Sequence, residues 1–301
     1  MADVVSRYDT TRGMLFPEQL IPEMMNLVKG HSSIAKLCGQ SPIAFNGNRE
    51  MTFTLDREID IVAENGPKSK GGATVTPVTI VPIKFEYSVR VSDEFKYGSD
   101  EVRLNYLKAF SDGFARKVAR GLDIAAFHGL NPRTGADSAV VGDNNFDDKV
   151  TTTVTYAAAT PDDNLDTAIA GIRAQEKDVT GIAMAPAFAT AMAGVKVNGV
   201  VQYPEFRFGQ NPAAFAGMIS DVNSTVSAHS SADRAIVGDF ANAFKWGYAK
   251  EIPLEVIEYG NPDNDTELGD LKGHNQVLLR SEVYIGWGIL DPAAFARIAT
   301  A

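Results

Sequence analysis

Ser99–Gly129 reads SDEVRLNYLKAFSDGFARKVARGLDIAAFHG, and the rest of the chain is arranged around it. Leu104, Leu107, Phe110, Phe114, Val118, Leu122 and Ala125 recur at three- and four-residue steps, which is the apolar stripe of a helix. Ser99 is placed to cap the N-terminus, Asp100 and Glu101 put negative charge in the first turn, and Gly129 with Pro132 supplies the stop. At about 1.5 Å per residue the helix is roughly 45 Å long, more than one small core requires. It therefore reads as a beam. Asp112 with Arg116 and Arg120 with Asp123 are spaced as ion pairs on its outer face, and Gly113 and Gly121 leave room for another backbone.

Outward from the beam toward the N-terminus, the period changes. From Ile43 to Val91 apolar and polar residues alternate: Met51, Phe53 and Leu55, then Ile83, Phe85, Tyr87, Val89 and Val91. This pattern predicts two long strands joined by the Gly-, Pro-, Lys- and Ser-rich stretch AENGPKSKGGATVTP, a loop tip. A two-stranded ribbon is marginal in water by itself, so it is expected to lie on a neighbour. Before it, residues 1–16 read as an extended arm. A short helix is expected between Pro17 and Gly30, and Ser32 and Ser33 cap a further turn carrying Ile34 and Leu37.

Toward the C-terminus, PDDNLDTAIAGIRAQEK opens a second helix with Asp162 and Asp163 in its first turn and Leu165, Ile169 and Ile172 on its buried side. Residues 181–273 alternate small residues, glycines and short apolar runs, as in a compact α/β subdomain. NQVLLRSEVYIGWGIL then reads as a strand pair or one long bent strand that returns to the first subdomain.

Composition narrows the function classes. Of 301 residues, 45% are hydrophobic and 22% charged, a globular balance, and the net charge of −10 argues against a protein whose main task is gripping nucleic acid. One cysteine, Cys38, permits no internal disulfide and no cysteine-built metal site, which fits a reducing cytoplasm. No run approaches a membrane span and the start lacks a signal-peptide pattern. The four histidines (His31, His128, His229, His274) lack ligand spacing and read as solvated or capping residues. Asp263, Asp265 and Glu267 imitate a calcium loop but lack its sixth-position glycine, and His274 stands where its closing glutamate belongs. Motifs for hydrolysis or phosphate binding are absent. Neither a cofactor nor a catalytic constellation is indicated.

The order of elements resembles the major capsid proteins of tailed bacteriophages with the HK97-like capsid fold. GLDIAAFHG followed by NPRTG, AMAPAFATAMAGVKVNGVVQYP, IVGDFANAFKWG and NQVLLRSEVYIGWGILDPAAFARI are similar to phrases of that family. The resemblance implies an α+β fold with an N-terminal arm over 1–42 and an extended β-hairpin E-loop over 43–91. It further implies a peripheral domain with the spine helix over 92–180 plus 274–301, and an axial α/β domain over 181–273. It also implies hexamers and pentamers of one chain around double-stranded DNA in a virion assembled in the host cytoplasm, with a scaffolding protein, a portal and a decoration protein as partners. The arm begins without a long helical extension, so the expectation is either a separate scaffolding protein or prior proteolytic removal of an extension, with Met1 favouring the first. In one branch of the family an E-loop lysine joins a neighbour's asparagine, helped by a glutamate seven residues on. Lys68, Lys70 or Lys84 with Asn275 and Glu282 match that spacing; a strand start at Asn275 and an ion pair between subunits at Glu282 are the simpler reading. An encapsulin-like compartment and a cytoplasmic α/β enzyme are the alternatives.

Overall fold

A computed structural model of the chain describes residues 32–94 and 100–300. The arm before residue 32, the helix expected between Pro17 and Gly30, His31 and the Ser99 cap lie outside the described residues. Within them, α1 (Ser33–Leu37) is followed by β1 (Asn48–Leu55), β2 (Ala73–Ile80), β3 (Ile83–Ser92) and the long helix α2 (Asp100–His128). After α3 (Phe146–Lys149) and β4 (Thr153–Thr155) come α4 (Pro161–Arg173), β5 (Gly181–Met184) and α5 (Pro186–Gly194). Short strands β6 (Lys196–Val197), β7 (Val200–Val201) and β8 (Ala214–Phe215) lead to β9 (Met218–Val222), β10 (Asp233–Gly238), β11 (Phe244–Ile257), β12 (Gln276–Ile289) and β13 (Phe295–Ala299).

The beam is present. Leu107, Phe114, Val118, Leu122 and Ala125 are buried along α2, and Gly129 closes it in the left-handed region at φ 69° with its N–H on the Ala125 carbonyl, 3.0 Å. The outer-face reading of Asp123 is corrected. Residues 121–129 are all buried, Asp123 points inward, and Arg120 instead donates to Ser224 Oγ at 3.1 Å. A 3.6-residue period places residues on a face but cannot show that a helix is covered on every side near its end.

Strand pairing also differs from the expected hairpin. β1 pairs antiparallel with β2, Phe53 opposite Val75, and the tip is 56–72. Pro77 made ATVTP look like loop, yet a two-stranded ribbon is edge throughout, where proline is tolerated. β3 is instead the outer strand of a three-stranded sheet ordered β11-β12-β3, with Val283 opposite Phe85. NQVLLRSEVYIGWGIL is one strand, β12, central in that sheet and buried along most of its length.

The second sheet runs β4-β13-β10-β5-β9-β8. Divisions at 180/181 and 273/274 cut through both sheets, because β4 and β13 share one with β5 and β10 while β11 pairs with β12. Period-two alternation makes the six-stranded sheet a wall between two cores. Ala183, Ile236 and Phe295 face a core with α2, Trp246 and Trp287; Ile182, Ala235, Val237 and Ile298 face one with α4 and α5. Phe146 lies at the centre of the first core, with Phe127, Phe240, Phe244 and Phe295 all within 5.8 Å between ring centroids.

Alternation along β11 and β12 puts tryptophans on one face and Gly247, Gly286 and Gly288 on the other. Ser41, Ile43 and Ile80, at the root of the ribbon, lie on that smooth face, and a Cβ at Gly247 would collide with the Ser41 carbonyl. Gly247→Ala is therefore expected to lose about 2–3 kcal/mol in urea denaturation of the unassembled subunit; an unchanged midpoint would refute this account of the strand face.

Candidate functional site: an apolar ribbon and two buried polar junctions

The ribbon has two unlike faces. Thr52, Thr54, Thr74 and Thr76 share one, with Thr52 Oγ1 donating to the Thr76 carbonyl at 3.0 Å. Met51, Phe53, Leu55 and Val75 share the other and are 58%, 63%, 69% and 55% exposed. In the tip, Ile59 and Ile61 are 93% and 96% exposed. A strand face this apolar is ordinarily the inside of something.

At the first junction Asp123 of α2 receives the start of α1. Ser33 N donates to it at 2.9 Å, Ile34 N at 3.3 Å and Thr225 Oγ1 at 2.8 Å, and Ser32 Oγ makes a further short hydrogen bond. Burial pushes its carboxyl up to about 6, although these donors favour the charged form. Beside it Asp221 takes Ser33 Oγ at 2.7 Å and Lys36 Nζ at 2.9 Å. Two carboxylates thus rivet residues 32–36 to the body.

The second junction joins the end of α2 to the sheet. His128 Nδ1 is 3.0 Å from Asp147 Oδ2, and its Nε2 is 3.1 Å from the Thr225 carbonyl. Arg297 of β13 reaches Asp147 Oδ1 at 2.7 Å and holds both oxygens of Asp233 at 3.0–3.2 Å. Burial and the charge of Asp147 push Asp233 up to about 6. Among the described residues, His128, Asp147 and Asp233 are the set of possible ligand side chains whose atoms lie within 4.8 Å of one another. The Arg297 guanidinium already stands between the two carboxylates as their cation. His128, read from the sequence as a solvated or capping residue, is instead a buried member of a four-residue network.

The cross-link candidates are not gathered within one chain. Lys68 and Lys70 sit exposed in the tip. Lys84 Nζ is 2.6 Å from Glu282 Oε1, and that hydrogen bond raises the lysine above its ordinary value, away from the neutral amine a nucleophile needs. Glu282 therefore forms its ion pair inside the subunit. Asn275 is exposed at φ 51° just before β12, and seven residues of strand separate it from Glu282, about 23 Å. The acidic loop is a turn: Asp265 Oδ1 accepts from Glu267 N at 2.8 Å and Leu268 N at 2.9 Å, and Arg90 clasps Asp263. His274 Nδ1 lies 3.0 Å from the Asp270 carbonyl. Cys38 is buried, its thiol pushed up to about 11 by burial and Asp239. No helix among the described residues is long and apolar enough to cross a membrane.

A chain with an apolar ribbon projecting from a two-core body, and no assembled catalytic group among the described residues, has the form of a subunit made to join others. The family model described as the phage capsid family matches residues 12–299, and the chain belongs to that family. It is 32% identical to a chain from a structure of Mycobacterium phage Ogopogo, with TM-score 0.77 over 90% of this chain and 92% of that one. For Gordonia phage Cozz the identity is 26% and the TM-score 0.75, over 90% and 87%. The fold alone is shared with a structure titled "Capsid of native GTA particle computed with C5 symmetry", 15% identical with TM-score 0.63 over 89% and 90%. No curated protein matches the chain. The protein is a structural major capsid protein with the HK97-like fold, a component of the virion shell that associates with its own copies. An encapsulin-like compartment is not favoured.

Asp123→Ala is expected to cost about 3 kcal/mol or more, because several buried donors lose one acceptor. Urea unfolding and limited proteolysis near residues 32–38 check it; unchanged stability with no new cleavage would contradict the riveting role.

Proposed function

We propose that the protein assembles in the host cytoplasm as hexamers and pentamers into an icosahedral shell around double-stranded DNA, without enzymatic activity or cofactor. The observation that carries this reading is the ribbon's apolar face. Fully burying a Met, Phe, Leu or Val side chain is worth about 1.5–3 kcal/mol, and more than half of each is exposed here, so covering Met51, Phe53, Leu55 and Val75 would return about 3–6 kcal/mol gross per subunit. Repeated around a closed ring, contacts of that size suffice for a shell. The ribbon, 48–80, is then the projecting loop laid on a neighbour. A separate scaffolding protein and a portal are the partners such a shell requires to set its size and its DNA entry, and a decoration protein is a further partner. The acidic balance suits a wall that lets DNA slide.

Subunits are held without covalent links, since Lys84 is engaged by Glu282 and Lys68 and Lys70 sit in water. Boiled in detergent, assembled particles are expected to run as a single monomer band; a ladder of multiples would contradict this. Electron microscopy of the overexpressed protein with its scaffold is expected to show closed shells for the wild type and none for the double variant Phe53→Asp, Val75→Asp. That variant should keep the wild-type melting temperature as a free subunit, because both side chains are exposed. Shells from the variant, or a discrete small oligomer from the wild type, would overturn the proposal.

A further inference from the structure

We propose that His128 is a buried imidazolium and serves as a proton-dependent latch fastening the end of α2 to the six-stranded sheet. The geometry decides where hydrogens sit. The Thr225 carbonyl can only accept, so at 3.1 Å the Nε2 of His128 carries its hydrogen toward it. Nδ1 faces Asp147 Oδ2 at 3.0 Å, and a bare lone pair there would oppose a carboxylate, so a second hydrogen lies between them. Arg297, 2.7 Å from the other oxygen of Asp147, keeps that carboxyl ionised and leaves the proton on the ring.

Charge counting agrees at pH 7, above the value of about 6 to which Asp233 is pushed: there Asp147 and Asp233 bring two negative charges and Arg297 one positive, so a protonated His128 makes the group neutral. The groups around the ring are Asp147 from α3, Asp233 from β10, Arg297 from β13, the Thr225 carbonyl from residues 224–230, and on α2 itself the Phe127 ring and, turned toward Thr225 Oγ1, Asp123. Burial works against the charge on His128, and the hydrogen bond and charge of Asp147 together with Asp233 outweigh it, leaving the imidazole above its ordinary 6.5. A group raised in this way stabilises the fold fully below about pH 6.5 and loses that contribution as pH climbs through its folded value. When the proton leaves, Nδ1 presents a lone pair to Asp147, and the seam between α2–α3 and β10–β13 loosens. A divalent cation is the rival occupant, and it would have to displace Arg297.

Deuterium exchange at the imidazole Cε1–H, followed by mass spectrometry of free subunits and particles, reads the pKa of His128 itself. It is expected above 6.5 in the wild type and lowered in Asp147→Asn. Calorimetry from pH 6 to 9 is expected to show the wild-type melting temperature falling by several degrees more than that of His128→Gln, with EDTA changing neither. A His128 that titrates at or below 6.5 would overturn the latch, as would a His128→Gln slope equal to wild type or a wild-type melting temperature lowered by EDTA. If His128→Gln does not fold, the exchange measurement on wild type and Asp147→Asn still decides.

Discussion

A two-stranded ribbon has two faces and no third strand. When one face carries Met51, Phe53, Leu55 and Val75, none of the described residues covers it. Everything else in the molecule makes that projection tolerable. The root is seated where Ser41, Ile43 and Ile80 lie on the glycine face of β11 and β12, so the ribbon leaves the body at a fixed place while its outer half stays uncovered by the described residues. The threonine face supplies strand propensity and cross-strand hydrogen bonds without adding apolar surface.

The body is correspondingly over-determined. One sheet divides two cores, so Ile236 and Val237, adjacent in sequence, stabilise opposite sides of it. The long helix is tied at two carboxylates: its own buried Asp123 fastens the incoming chain at residues 32–34, and the half-buried Asp147 of α3, through His128 and Arg297, fastens the helix end to β13. Both tie points meet at Thr225, whose hydroxyl serves Asp123 and whose carbonyl serves His128. Rigidity at these points is what allows a marginal element to project from them.

The sequence made much of this visible because the signals were local. The stripe of α2, the capped turn at Ser32, the acidic start of α4 and the run of β12 each declare themselves within about 15 residues. The ribbon was half legible: its period of two was evident, but nothing local says whether Phe53 faces Val75 or Phe85, because pairing is settled by long-range burial. The buried junctions were illegible for the same reason. His128, Asp147, Asp233 and Arg297 span 170 residues of chain and match no motif, and Asp123 carried the spacing of a surface ion pair. A carboxylate inside the most apolar stretch of α2, LDIAAF, was the available hint.

The central claim is that the ribbon is completed by another copy of the chain. Backbone hydrogen exchange, read by mass spectrometry on free subunits and on assembled particles, addresses it directly. The account predicts that amides of 48–55 and 73–80 exchange quickly in the free subunit and become strongly protected in the particle, while β12 is protected in both. Equal protection of the ribbon in the two states would contradict it.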